Sequence, residues 1–242
     1  MLKYLRYLLV GVVILSLMFL GFFVAIWRPK NVRNSDLLAN GLGKIALAIL
    51  GIKYKIKNQK TLLKSRPCIF ISNHQSNIDA WTIATCLPSS GITLGKMAIL
   101  FIPIFGQFYY LCGHFLINRK DKVGSKTKMN NLVSHLKENK LSLWIMPEGT
   151  RNKGKGILPF KKGPFHLAIG AGLPIVPVCI SSYDKSFNLN KWHSGTILIE
   201  ALEAIPTQGL GSEDVTPLAK KSREALIAGV KKLDDKITHG NG

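Results

Sequence analysis

Residues Leu8 to Trp27 are apolar apart from Ser16 and carry no charge. As a helix this stretch is about 30 Å long, the thickness of a bilayer's hydrocarbon core. Nothing polar marks a solvent face, so it does not read as the core helix of a soluble domain. A cleaved signal peptide has a shorter apolar region, about 7–15 residues, ending at small side chains. This run is longer and ends Ala25-Ile26-Trp27-Arg28-Pro29. The chain is therefore expected to meet a membrane at its N-terminus. Lys3 and Arg6 precede the run and Arg28, Lys30 and Arg33 follow it, so the flanking charge gives no orientation. A second apolar segment, Leu37 to Ile52, follows Ser35 and Asp36, either of which suits an N-cap. It contains Asn40 and Lys44 and is short for a span, which suits an interfacial helix. Residues 1–54 are expected to form a membrane-anchoring pair of apolar helices, with 55–242 a separate domain.

Charge narrows the partners. Lys+Arg is 33 and Asp+Glu is 13, a formal net charge of +20. So basic a chain seeks phosphate, on nucleic acid, on anionic lipid or on a phosphorylated substrate. A membrane-anchored basic domain is favoured beside an anionic cytoplasmic leaflet. Cys68, Cys86, Cys112 and Cys179 form no C-x-x-C pair and sit in apolar stretches. They read as buried free thiols, with no disulfide framework and no zinc site.

Beyond residue 52 short apolar runs alternate with amphipathic ones. Strands are expected at 68–72, 92–94, 115–118, 141–146, 175–181 and 196–202. Helices are expected at 78–87, 123–139, 164–171 and 217–236, the last with Thr216 as N-cap and Pro217 in its first position. The alternation argues a single α/β domain, a mixed sheet flanked by helices. Functional groups in such folds gather where strands end.

Three strand ends carry unusual chemistry. The first is Ser72-Asn73-His74-Gln75-Ser76-Asn77-Ile78-Asp79. With His74 in the loop and Asp79 in the first helical turn, the two side chains can meet. A carboxylate on one imidazole nitrogen fixes the tautomer and leaves the other nitrogen to take a proton. The same segment also reads as a helix start, with Ser76 or Asn77 capping and Asp79 facing the helix dipole. The second is Gly113 to Arg119, a buried strand delivering Arg119 to its end, with Lys120 and Lys122 behind it. Arginine matches phosphate oxygens with two donors at once. A solvated charge cluster is the plainer reading. The third is Met146-Pro147-Glu148-Gly149-Thr150-Arg151. Gly149 permits a tight turn with exposed amides, and Thr150 and Arg151 add donors, which together make an anion cradle. A glycine turn with a Glu148–Arg151 ion pair is the plainer alternative.

Together these segments resemble the glycerolipid acyltransferases, and in particular the bacterial 1-acyl-glycerol-3-phosphate acyltransferases. The N-H-x-x-x-x-D motif matches Asn73, His74 and Asp79. The second motif matches Gly113 to Arg119, with Asn118 where many relatives carry Asp. The third, F/M-P-E-G-T-R, matches Met146 to Arg151. The fourth matches Leu173 to Val178, and a Gly-Lys stretch with a later Pro and Gly matches Gly95, Lys96, Pro103 and Gly106.

The resemblance implies transfer of a fatty acyl group from acyl-CoA or acyl carrier protein to the sn-2 hydroxyl of lysophosphatidic acid, giving phosphatidic acid. It implies His74 as general base oriented by Asp79, with no acyl-enzyme. The headgroup phosphate would be held by Gly149, Thr150 and Arg151, ordered by Glu148, with Arg119 and Lys96 contributing. No cofactor or metal is implied. The helix pair would dip into one leaflet of the bacterial inner membrane, with the catalytic domain on the cytoplasmic side; the stretch from Leu8 to Trp27 is also long enough to span it. His114, His135, His166, His193 and His239 read as structural or solvated. The same chemistry on glycerol 3-phosphate or another lysophospholipid is the near alternative. A non-catalytic polybasic membrane adaptor is the remote one. Nucleic acid is not an expected partner, because no helix-turn-helix, zinc or RNA-binding aromatic signature is present.

Overall fold

The computed structural model describes residues 1–118, 122–183 and 187–239, without the side chains of 35–38, 63 and 122–126. In chain order the elements are α1 (Leu2–Trp27), α2 (Arg33–Ile49), β1 (Ile52–Lys57), α3 (Gln59–Lys64), β2 (Ile69–Ser72), α4 (Asp79–Cys86), β3 (Gly91–Lys96), α5 (Phe105–Leu111), β4 (Phe115–Ile117), α6 (Lys122–Glu138), β5 (Ser142–Ile145), α7 (Gly163–Ala171), β6 (Ile175–Ile180), β7 (Gly195–Ala201) and α8 (Val215–His239). The strands alternate with helices as the apolar pattern requires. The elements fall into two compact units, residues 1–50 with 80–144 and residues 51–79 with 145–242.

In the first unit β3 lies between two parallel neighbours. Gly91–Thr93 pair with Ser142–Trp144 of β5, and Leu94–Lys96 pair with Phe115–Ile117 of β4. Helix α1 packs on α2 and α5. Its buried stripe is Val10, Ile14, Met18 and Ala25, at helical spacing. Leu8, Phe19, Leu20 and Trp27 stay exposed on its other sides.

Of the expected pair of apolar helices, α1 is the one of membrane-crossing length. Among the described residues α1 alone is long and apolar enough to cross a membrane. The apolar part of α2, Ala39–Ile49, is shorter, and Leu42, Ala46, Leu47 and Leu50 are buried. Helix α2 begins at Arg33, whose amide donates to Asn31 Oδ1 at 3.0 Å. Ser35 and Asp36 are therefore inside the helix and are not its caps. Gly51, at φ 69°, breaks the chain out of the helix, so Ile52 opens β1 instead of ending α2.

The second unit holds a mixed sheet in the order β1-β7-β6-β2. β7 runs parallel to β1 and antiparallel to β6, and β6 runs parallel to β2. β2 and β6 are buried along their whole length, as continuous apolar runs demand. β1 instead alternates, with Lys53, Lys55 and Lys57 exposed. Helix α8 packs on β6 and β7, and α7 packs on α8. Thr216 does not cap α8, which already starts at Val215. The preceding turn, Ser212–Asp214, is closed by Asp214 Oδ2, which accepts the Gly211 amide at 2.8 Å. Pro217 still falls in the first turn, where its missing N–H costs nothing.

Gly43 sets the approach of α2 to α4. A Cβ there would sit 2.7 Å from Trp81 O and 2.9 Å from Thr85 N, both rigid backbone atoms. Gly43→Ala should destabilise the protein by about 1–3 kcal/mol, the usual cost of overpacking. Gly41, with nothing within 4 Å, is the control. Gly41→Ala should leave stability unchanged or raise it by about 1 kcal/mol, because alanine is the better helix former. Thermal unfolding of both variants in detergent checks the pair.

Candidate active site

β2 ends at Ser72, and the chain turns at once into the loop 73–78. Two amides lock that turn to the neighbouring strand. Asn73 Nδ2 donates to Ile180 O at 2.8 Å, and Asn73 Oδ1 accepts the Ile180 amide at 3.0 Å. Gln75 Nε2 donates to Ser181 O at 2.9 Å, and Gln75 Oε1 accepts the Tyr183 amide at 3.1 Å. His74, between them, is left partly exposed.

Asp79 opens α4 and is 1% exposed. Its Oδ2 lies 2.6 Å from His74 Nδ1 and accepts the amides of Gln75 at 2.6 Å and Ser76 at 3.0 Å. These contacts on one oxygen aim the carboxylate at the ring. Ser76 does not cap α4, which starts at Asp79; its Oγ accepts the Ile78 amide at 3.0 Å in the turn ahead of the helix. The turn that starts α4 is the turn that brings Asp79 to His74. With Nδ1 committed to Asp79, Nε2 is the nitrogen that stays available for a proton.

The segment after β5 is tied to the backbone of His74 itself. The His74 amide donates to Glu148 Oε1 at 2.7 Å, and the His74 carbonyl accepts the Asn152 amide at 2.8 Å. Gly149, Thr150 and Arg151 are thus strung between two anchor points on the histidine. Gly149, at φ 70°, makes the turn that a side chain would strain. Gly149 is half-buried, and Thr150 and Arg151 are exposed.

Glu148 is buried, and its second oxygen accepts the Leu158 amide at 2.9 Å. Burial pushes its carboxyl above the ordinary glutamate value, while the two amides and the nearby imidazole pull it back. Both of its oxygens are committed to backbone amides, so its position is that of a brace for the His74 loop and the 149–151 turn. Lys96 is exposed at the end of β3, in the first compact unit. Arg119 and Lys120 lie outside the described residues.

Burial accounts for the cysteines and for His114. All four cysteines are free and buried. Burial pushes the thiols of Cys86, Cys112 and Cys179 up to about 12, which keeps them protonated. His114 is driven down to about 4 by burial, and its Nδ1 accepts the Thr93 amide at 3.2 Å. It is a neutral structural residue. No group of three or more potential metal ligands occurs among the described residues.

Arg223 is the residue that sequence reasoning missed. From α8 it donates through Nε to Leu158 O at 3.1 Å and through Nη2 to Ile157 O at 2.6 Å. This holds the far side of the loop whose Leu158 amide bonds Glu148. The loop's base is closed where the Lys161 amide donates to Pro147 O at 2.8 Å. No signal near Arg223 in the sequence announces a partner some 65 residues earlier.

The acyltransferase family model matches residues 53–181. The 1-acyl-sn-glycerol-3-phosphate acyltransferase of Escherichia coli (strain K12) is 34% identical over 90% of this chain and 88% of its own length. That of Haemophilus influenzae is 34% identical over 100% of both chains. The crystal structure of the 1-acyl-sn-glycerophosphate (LPA) acyltransferase PlsC from Thermotoga maritima superposes with a TM-score of 0.77. It covers 96% of this chain and 94% of that one at 22% identity, a likeness of fold.

Glu148→Gln puts an NH2 group against one of two backbone amides. It should cost about 1–3 kcal/mol, the price of a buried donor left unpaired. Arg223→Ala removes two charge-assisted bonds and should lower stability by a similar amount, roughly 1.5–3 kcal/mol. Chemical denaturation checks both variants. Unchanged midpoints would mean that the loop holds without them.

Proposed function

The chain belongs to the acyltransferase family, and we propose that it acylates the sn-2 hydroxyl of lysophosphatidic acid, giving phosphatidic acid. The acyl donor is a thioester, acyl-CoA or acyl carrier protein. The relatives' names supply the acceptor. One observation carries the chemistry: His74 Nδ1 sits 2.6 Å from the buried Asp79 carboxylate, with the 149–151 turn hydrogen-bonded to the same histidine's backbone.

His74 Nε2 takes the proton of the acceptor hydroxyl as its oxygen attacks the thioester carbonyl. Asp79 stabilises the imidazolium that forms. When the tetrahedral intermediate collapses, the carbon–sulfur bond breaks and the thiolate leaves. The imidazolium returns the proton to that sulfur, so the enzyme ends as it began. No acyl-enzyme is needed, and the buried cysteines offer no nucleophile. On the turn that Gly149 makes, Thr150 and Arg151 receive the phosphate through hydroxyl and guanidinium donors. Glu148 orders that turn. No cofactor takes part.

Helix α1 lies in the bilayer, where acceptor and product both reside. Its uncharged stretch from Leu8 to Trp27 and its exposed Phe19, Leu20 and Phe23 support this. Helix α2 lies at the interface as its partner, and residues 1–54 act as the anchor of the catalytic domain at 55–242. The +20 charge favours the anionic cytoplasmic face of a bacterial inner membrane.

The test is acceptor-dependent thiol release from oleoyl-CoA, repeated with acylated carrier protein. His74→Ala should lower turnover by about 10²–10⁴-fold. Release that survives the substitution would remove His74 from the mechanism. Arg151→Lys keeps the charge and loses the fork of donors. It should raise the KM for lysophosphatidic acid more than it lowers kcat. A fall confined to kcat would take Arg151 out of phosphate binding.

A further inference from the structure

Between β3 and β4 the chain runs from Met97 to Gly113 without a charged side chain. The first part, the short 3-10 turn Met97–Phe101, buries none of its residues. Phe101 is 77% exposed and Ile102 47%. Large apolar side chains side by side at a tip are not the ordinary surface of a protein facing water.

The exposure is built into the fold. The Gly106 amide donates to Ile102 O at 2.8 Å, and Gln107 Nε2 donates to Leu100 O at 3.0 Å. A Cβ on Gly106 would collide with the backbone of Ile99 and Leu100. The tip is thus clamped in a form that presents Phe101 and Ile102 outward.

From the tip, α5 leads back to the apolar N-terminal helix, on which it packs. Its far end sits at the base of α1. Asn34 Nδ2 bridges Arg28 O at 2.7 Å and Leu111 O at 3.2 Å. Lys30 Nζ lies 5.2 Å from the centroid of the Tyr110 ring. Trp27, 87% exposed, precedes Arg28. Tryptophan and tyrosine beside lysine and arginine is the composition found at headgroup level. A helix packed against α1 shares its surroundings.

We infer that the tip around Phe101 and Ile102 is a second membrane-inserting element. It enters the acyl-chain region of the same bilayer that receives α1, with Trp27, Lys30 and Tyr110 marking the headgroup level. The occupant of this surface is lipid, because the tip offers no charged side chain to a protein partner and is continuous through α5 with α1, whose Phe19, Leu20 and Phe23 are exposed. Lys96, which ends β3 just before the tip, is carried to the membrane surface with it. This inference rests on the placement of α1 in the bilayer proposed above.

The experiment uses the full chain in vesicles of phosphatidylcholine with phosphatidylglycerol. A nitrobenzoxadiazole label is placed singly through Phe101→Cys, Phe19→Cys on α1 and Lys220→Cys on α8. The native thiols are buried and stay unlabelled. Emission is quenched either by spin-labelled lipid or by aqueous iodide. The expected result is that the label at 101 loses more than half its emission to the lipid quencher and little to iodide, as at 19, with 220 the reverse. Iodide quenching at 101 with lipid quenching at 19 overturns the tip and leaves α1 in the bilayer. Iodide quenching at both overturns the membrane placement itself. If Phe101→Cys fails to fold, Ile102→Cys carries the label instead.

Discussion

The backbone of His74 is held by one segment from both sides, and the rest of the site depends on that hold. Its amide donates to Glu148, and its carbonyl accepts from Asn152. Its ring is fixed by Asp79 and its neighbours by Asn73 and Gln75. A proton acceptor must be placed to within a fraction of an ångström of its partner to be useful. A loop alone does not offer that precision. Here the loop borrows it from β2 and β6, two fully buried strands.

Glu148 shows what this arrangement costs. A buried carboxylate is unfavourable unless its oxygens are bonded, and this one has a backbone amide on each. It works as a strap between the His74 loop and residue 158, and Arg223 fastens the far end of the strap to α8. The acid in a basic loop is thereby explained without contact to a phosphate, which a carboxylate would repel. The positive groups of the turn stay outward: among the described residues Arg151 is exposed and makes no ion pair.

Much of this was legible in the residues. The strands at 69–72, 142–145 and 175–180 are continuous apolar runs and appear where expected. His74 and Asp79 meet, as a loop histidine and a first-turn carboxylate should. Other elements escaped. β1 alternates Ile-Lys-Tyr-Lys-Ile-Lys, a period-two signal obscured because Ile52 also continues the apolar pattern of α2. Helix α5 has seven residues, too few for a helical period to emerge from an uncharged stretch. The start of α8 moved ahead of Thr216 because a 3-10 turn, closed by Asp214, feeds straight into it.

The sequence by itself determined the alternation of strands and helices, the membrane-length N-terminal helix and the residue types of the site, because each is written in local periodicity or a short spacing. Only the tertiary structure decided that Glu148 braces His74, that Arg223 joins it from α8, and that the uncharged stretch after Lys96 holds Phe101 outward. Those facts depend on backbone groups far apart in the chain finding each other. A backbone amide has no identity in a sequence, so a side chain that bonds one carries no mark of its partner until the chain is folded.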